Sequence, residues 1–467
     1  MPIRHLALVS GAVACLIAGY ANAAPWLTAG DPAVRHSLQK QADSGELNRT
    51  LTTWPVMKDS VGMRRSSGAK YRVSISGSTE DEFITSFSRP ASEKAQITLA
   101  AEYDGNWWAG GISTELAASP SDDDNARLDQ SYFALFAGNW VLGAGAIDRW
   151  WGPGWQNSLI LSNNARPAPG FWLSRNQATP FETPLLSWLG PWQLTAMVSQ
   201  LESERAVAEP LLVGIRGTIR PLDGLDIGFT RTLMFGGQGR SSSLSTFWDA
   251  VIGNDNPQDS AQDPSNQLGA VDIRYGFTVG EQTASVYGQM MGEDEAGGFP
   301  ARKSWLFGVD TATSYWGRDQ RWFIEGTDTL ADNVFGDPMP DISYEHRVYR
   351  TGYRYKGRNM AAAIDSDSQI VTFGYFDFLS EGNSIGASVS WIDFTGNPDS
   401  RVTAPDPAVT YFVPAQNQTV MLYSGFWRFG TPYGAIRLSG QITDDKITIR
   451  SGELDQWSLS ASWSYGF

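Results

Sequence analysis

The chain ends in Trp457-Ser458-Leu459-Ser460-Ala461-Ser462-Trp463-Ser464-Tyr465-Gly466-Phe467. Every second residue is apolar, and serine or glycine stands between. A period of two is the period of a β-strand, whose side chains point alternately to opposite faces. One face is greasy and the other small and polar, over a length that matches the ~9–11 residues a tilted strand needs to cross a bilayer. A strand of a soluble sandwich can alternate too, but seldom presents Trp, Tyr and Phe on its outward face. The stretch therefore decides for a transmembrane antiparallel β-barrel, and its terminal Phe467 has the form of the signal read by the barrel assembly machinery.

Similar segments recur upstream. Strands are expected near 95–103, 107–117, 128–137, 139–147, 191–201, 209–220, 225–235, 267–279 and 281–290. Others are expected near 304–316, 318–328, 344–356, 359–366, 369–378, 384–395, 417–430, 432–442 and 455–467, with weaker candidates at 70–77 and 83–87. That makes about 18 strands in one barrel. Counting back from a final strand that runs toward the periplasm, the short turns at 316–319, 356–359, 380–383 and 430–432 fall on the periplasmic side. The long connections at 236–266, 291–303, 329–343, 396–416 and 443–454 fall outside, as in bacterial barrels.

Composition agrees. In 467 residues only 18% are charged while 12% are aromatic, with 19 Trp and 48 Gly. No apolar run beyond the N-terminus reaches the ~20 residues of a membrane helix. The aromatic content argues against disorder. Three His and one Cys rule out the usual zinc sites. A net charge of −15 argues against nucleic acid as a partner.

The first 23 residues read as a signal peptide. Arg4 and His5 open it, Leu6 to Ala18 form its apolar part, and Ala21-Asn22-Ala23 fits the cleavage site. Cleavage would remove Cys15, leaving a mature chain free of cysteine. Residues 24–66 form a periplasmic helical cap. In it Asp31-Pro32 starts a helix, Val34, Leu38 and Ala42 mark its face, and Ser44-Gly45 ends it. A second short helix is expected through Leu47, Leu51 and Trp54, and the barrel then occupies 67–467.

The outer loops are acidic, with Asp249, Asp255, Asp259 and Asp263 in one, Glu293-Asp294-Glu295 in another, and Asp328, Asp332, Asp337 and Asp341 in a third. Carboxylates beside carbonyl-rich loops are the chemistry of Ca²⁺. Their spacing matches no metal loop, and exposed acidic loops are ordinarily solvated. No metal or other cofactor is expected.

Segment 148–190 breaks the alternation. It contains Arg149-Trp150-Trp151-Gly152-Pro153-Gly154-Trp155, then Ser162-Asn163-Asn164-Ala165-Arg166-Pro167, Phe181-Glu182 and Trp188-Leu189-Gly190-Pro191-Trp192. Pro and Gly at this density forbid a continuous strand. Two readings of the residues stand. Arg149, Trp150, Trp151, Trp155, Asn163, Asn164, Arg166, Glu182 and Trp188 have the chemistry of a sugar site, with indole faces for C–H surfaces and polar groups for hydroxyls. The same residues would also pack an inward-folded plug.

This segment, with the short N-terminal helix, Asp43-Ser44-Gly45 and Trp54-Pro55, resembles the Wzi family of capsule assembly outer-membrane proteins. The resemblance covers essentially the whole mature chain. It implies an 18-stranded barrel with an occluded lumen and a periplasmic helical piece. It further implies a non-enzymatic, lectin-like protein that holds capsular polysaccharide or exopolysaccharide at the surface of a Gram-negative cell. Its surroundings would be outer-membrane lipid and lipopolysaccharide, and a monomer is favoured.

Two rivals differ in class. An enzyme would have to use His36 or His346, the only histidines of the mature chain, and neither has a companion motif. A carbohydrate-specific or general porin would suit lumenal Arg216, Arg220, Arg274, Arg350 and Arg354. On the residues alone, replacing Trp150, Trp151 and Trp155 together by Ala should lower polysaccharide retention while the protein stays in the membrane. Loss of the protein would instead mark these residues as structural.

Overall fold

The computed structural model describes residues 23–88, 93–251, 265–293, 302–332, 338–379, 382–396 and 402–467. The expected leader up to residue 22, and the acidic residues Asp255, Asp259, Asp263, Asp294, Glu295 and Asp337, lie outside the described residues.

Eighteen antiparallel strands close a barrel. In chain order they are β1 Gly68–Ser78, β2 Ala95–Asp104, β3 Trp108–Ala118, β4 Tyr132–Ala137, β5 Trp140–Gly145 and β6 Gly170–Arg175. Then come β7 Trp192–Gln200, β8 Leu211–Leu222, β9 Leu225–Phe235, β10 Ser265–Val279, β11 Gln282–Glu293 and β12 Lys303–Tyr315. The last are β13 Arg318–Asp332, β14 Ser368–Phe378, β15 Ser384–Thr395, β16 Asn417–Thr431, β17 Gly434–Thr443 and β18 Trp457–Gly466. Each pairs with its neighbour in sequence, and Ala126–Arg127 extends β4 along β3.

The final strand does what its alternation predicts. Trp457, Leu459, Tyr465 and Phe467 face outward and are exposed, while Ser458 and Ser460 turn into the lumen and are buried. Its other edge closes the barrel on β1, in a register that runs from Ser460 opposite Ser78 to Gly466 opposite Arg72. Phe467 and Tyr71 exchange backbone hydrogen bonds of 2.9 Å at the seam, and their rings stack at 5.6 Å. Around the wall the pattern repeats. Ile97, Leu99, Ile112, Phe229, Phe307 and Ile324 face outward, whereas Arg216, Asp272, Arg274, Asp310 and Arg321 are buried inside. Apolar outside and charged inside inverts a soluble protein and fits a wall bathed in lipid.

The strand number is as expected, but two members of the expected set are not barrel strands. Segments 344–356 and 359–366 lie inside the connection between β13 and β14, where the two-residue strands Arg354–Tyr355 and Arg358–Asn359 pair with each other. The expected periplasmic turn at 356–359 is therefore the tip of a lumenal hairpin. The reason is visible in the residues: Glu345 and Arg347 share one alternate face, and His346, Arg350 and Arg354 the other, so neither could meet lipid. Two other strands replace them: β1, a weak candidate, and β6, within 148–190. Segment 83–87 is not a strand.

The N-terminal helix α1 spans Pro32–Asp43, with the Asp31 carboxylate accepting from the N–H groups of Ala33 and Val34. It sits within the barrel end that carries the chain termini. There the Arg274 guanidinium grips the Asp43 carboxylate at 2.5 and 2.8 Å, and Arg220 donates to the Ala42 carbonyl at 2.7 Å. The second expected helix does not form. Residues 53–54 are extended and pair with Trp150–Trp151.

Candidate functional site

The connection from β5 to β6 dives into the lumen, and every residue from 149 to 165 is buried. Three indoles anchor it: Trp150 at 1% exposure, Trp151 at 0% and Trp155 at 1%. Trp150 meets Phe87 edge-on at 5.3 Å, and Phe87 in turn meets Trp54. Trp155 stacks on Phe323 at 6.2 Å and lies 5.6 Å from Phe376 on the wall. All three indoles are buried within the protein, and Trp155 borders the cavity between plug and wall.

Much of the polar backbone of this segment is paired, as burial away from water demands. The Glu325 carboxylate on β13 accepts from three successive N–H groups, those of Trp155 at 2.6 Å, Gln156 at 3.1 Å and Asn157 at 2.7 Å. Tyr287 adds its hydroxyl at 3.0 Å. From the opposite side Arg35 of α1 donates to the carbonyls of Pro153 and Gly154 at 2.5 and 2.7 Å and lies 4.2 Å above the Trp155 ring. The turn needs Gly154, because a Cβ there would lie 2.2 Å from the Asn157 carbonyl oxygen. Gln289 spans the strand-like part, donating to the Trp151 carbonyl at 2.9 Å and accepting from the Leu159 N–H at 2.8 Å.

The nine residues singled out from the sequence do not form one site. Trp150, Trp151, Trp155, Asn163 and Asn164 lie in the plug. Asn163 donates to the Phe87 carbonyl at 3.1 Å, and Asn164 to the Asn359 carbonyl at 2.8 Å. Arg149 lies 5.2 Å from the Trp172 ring, and burial pulls its guanidinium down to about 10. Arg166 emerges toward the loop end of the barrel, where it binds Asp129 at 2.7 and 2.9 Å, Asp122 at 2.6 Å and Asp124 at 2.7 Å. Burial alone would raise the Asp122 carboxyl, but Arg166 and Arg127 hold it below the usual range. Glu182 and Trp188 are a correction to the single-site reading. They follow β6, at the opposite end, and are exposed, Trp188 at 64%. Strand β6 separates them from the rest, a consequence of the break that the Pro/Gly density concealed.

Between the plug and the wall strands β14 to β17 lies a cavity of about 60 Å³. Hydroxyls of Ser388, Ser390, Ser424 and Ser439 line it with Gln156, Gln441, Glu82 and Arg437, beside the rings of Phe376 and Phe426. Burial pushes the Glu82 carboxyl up to about 8, against the pull of Arg437 and Arg358. A carboxyl raised in the folded state favours folding fully below its ordinary value near 4.5, and that contribution is lost as pH rises through 8. Heat denaturation of detergent-solubilised protein should therefore show stability falling between pH 5 and 8, and Glu82→Gln should flatten the fall. An unchanged slope in the variant would show that Glu82 carries its charge when folded.

Sequence reasoning missed Glu325, Tyr287 and Arg35, which position the plug, as well as the second inward segment. The two histidines have structural neighbours. His36 stacks on Phe378 at 4.4 Å, and His346 Nδ1 accepts from the N–H groups of Val348 and Tyr349 at 3.2 and 3.1 Å. The arginines expected in a pore are largely engaged, with Arg216 on Asp272 at 2.6 Å, Arg220 on Asp226 at 2.8 Å and Arg354 on Asp365, while Arg350 is exposed.

Comparison with known proteins places this architecture. The family model described as capsule assembly protein Wzi matches residues 64–429. A Klebsiella pneumoniae protein described as an uncharacterized 55.8 kDa protein in the cps region is 29% identical over 355 residues, covering 70% of this chain and 69% of that protein. The solved structure of Wzi from Escherichia coli is described as a carbohydrate-binding β-barrel of the outer membrane involved in group 1 capsule assembly. It superposes with a TM-score of 0.81 at 24% identity, over 94% of this chain and 99% of that one. A variant of the barrel OccD1 (OprD) reaches a TM-score of 0.50 at 10% identity, over 86% of this chain and 95% of that one. With the family model spanning most of its length, the chain belongs to the Wzi family of capsule assembly proteins.

Proposed function

We propose that this protein is a non-enzymatic outer-membrane lectin that binds capsular polysaccharide or exopolysaccharide and anchors it at the cell surface. The observation that carries the reading is the fully buried run 149–165, which folds into the lumen and is held against wall strands β11 and β13 by Gln289 and Glu325. A barrel so filled acts through its surface and not through a pore, which counts against the porin alternative. Family membership and the carbohydrate-binding description of the Escherichia coli barrel support the ligand class.

In this reading the chain is exported by a signal peptide cleaved after Ala23 and assembled through Phe467. It stands as a monomer among outer-membrane lipid and lipopolysaccharide. The α1 end faces the periplasm, and the loop end, with Arg166 and its acidic partners, faces outward. The plug tryptophans support that face from below and do not touch glycan. Exposed Trp188 and Leu185 at the periplasmic rim serve as interfacial anchors, where indoles favour the boundary of lipid and water.

Deleting the gene and measuring cell-bound and shed polysaccharide tests the reading. Anchoring predicts unchanged total polymer with more of it in the medium, and direct binding of that polymer to the purified barrel. Unchanged retention would sink it.

A further inference from the structure

Where the second inward segment returns to the wall at the start of β14, three carboxylates converge. Asp341, Glu345 and Asp367 each place an oxygen within 4.8 Å of the others. One of these groups is buried beyond what its hydrogen bonds explain. Asp367 is only 4% exposed; its Oδ2 accepts from the Asp341 N–H at 3.0 Å, and its Oδ1 is buried with no hydrogen-bond partner. Glu345 is buried beside it and accepts from the Ser366 hydroxyl at 3.2 Å. A further carboxylate, Asp365, stands close by, but Arg354 is turned to it, with Nε 2.9 Å from Oδ2 and Nη2 on Oδ1. The guanidinium thus spends its hydrogen bonds on Asp365 and the Thr351 carbonyl and donates none to the buried Asp367 carboxylate. Burying such a group costs several kcal/mol unless it takes up a proton or a cation.

We propose that Asp341, Glu345 and Asp367 form a Ca²⁺ site that pins the lumenal segment 338–367 to the rim of the barrel. The ligand set is all oxygen, which suits a hard cation and not zinc. Ca²⁺–oxygen distances of about 2.3–2.6 Å put ligands on opposite sides of one ion roughly 4.6–5.2 Å apart. Three oxygens no more than 4.8 Å apart fit that sphere as they stand, and Mg²⁺, which dehydrates reluctantly, is less suited to a set of protein carboxylates. Asp341 is half-buried, so an ion can enter from the loop end. Spacing along the sequence hides this site, because only the fold brings Asp367 to Asp341 and Glu345.

The test uses full-length protein in detergent, washed with a calcium chelator, then titrated with CaCl₂ or MgCl₂ and followed by calorimetry and by thermal unfolding. One Ca²⁺ per chain is expected, with a dissociation constant of about 10⁻⁴–10⁻³ M, the range of extracellular modules, and a higher melting temperature. Mg²⁺ should bind at least about tenfold more weakly. Asp367→Asn and Glu345→Gln should each weaken Ca²⁺ binding about tenfold or more, while Asp445→Asn on an exposed loop leaves it unchanged. Calcium binding that survives both substitutions would belong to bound lipopolysaccharide or the general acidic surface and would overturn the proposal. So would the absence of any response in the wild type at about 5 mM CaCl₂, which would show that these carboxyls hold protons instead. If one variant fails to assemble, the other still assigns the binding, and a wild type without response overturns the proposal by itself.

Discussion

Replacing Glu325 by alanine should loosen the plug while the wall stays closed. The carboxylate accepts from three consecutive backbone N–H groups, at Trp155, Gln156 and Asn157, and from the Tyr287 hydroxyl. Each buried donor left without a partner costs about 1–3 kcal/mol. Water entering the vacated space recovers part of this, so the net loss should be roughly 3–6 kcal/mol. The barrel itself rests on strand ladders that Glu325→Ala does not interrupt, so the loss should appear locally. Amide hydrogen exchange at residues 155–157 should speed up roughly 10²–10⁴-fold, and planar bilayers should show conductance steps that the wild type lacks. Exchange unchanged within about threefold would mean that the plug is held by packing alone.

The second large effect concerns the indoles. With Trp150, Trp151 and Trp155 fully enclosed, the expectation of a stable protein with weakened polysaccharide retention gives way to loss of the protein itself. Truncating one buried Trp to Ala costs about 3–5 kcal/mol, so the three together would forfeit roughly 9–15 kcal/mol. That rivals the whole stability of a typical domain, about 5–15 kcal/mol. The triple variant should therefore disappear from the membrane fraction, while Trp188→Ala, at an exposed site, should leave its abundance unchanged. A triple variant that accumulated normally and shed polysaccharide would restore these indoles as glycan contacts.

Much of the fold was legible because a strand in a barrel wall has one lipid-facing and one lumen-facing side. Its hydrophobic period is therefore local, and the segment from Trp457 to Phe467 displays it unaided. The helix at Pro32–Asp43 was equally local, with Asp31 as cap and proline at its first position. Segments 344–356 and 359–366 misled because Tyr349, Tyr353 and Tyr355 on one alternate face, and the apolar run from Met360 to Ile364, imitate strands. The corrective signal was present in Glu345, Arg347, Arg350 and Arg354, whose charges leave no face for lipid. The residues of 148–190 carried both the chemistry of a plug and that of a sugar site, and sequence spacing could not choose between them.

By itself, then, the sequence determined a transmembrane barrel with a capped helix at its start and one aberrant, tryptophan-rich segment, since each of these is written within a few consecutive residues. Only the tertiary structure decided what that segment does. Glu325 lies about 170 positions from Trp155 and Arg35 about 120, yet they seize its backbone from opposite sides. The same holds at the rim, where Asp341 and Asp367 meet across a folded segment. Burial, which turns an indole into packing and a carboxylate into a candidate ligand, depends on contacts between residues far apart in the chain, and no local period records it.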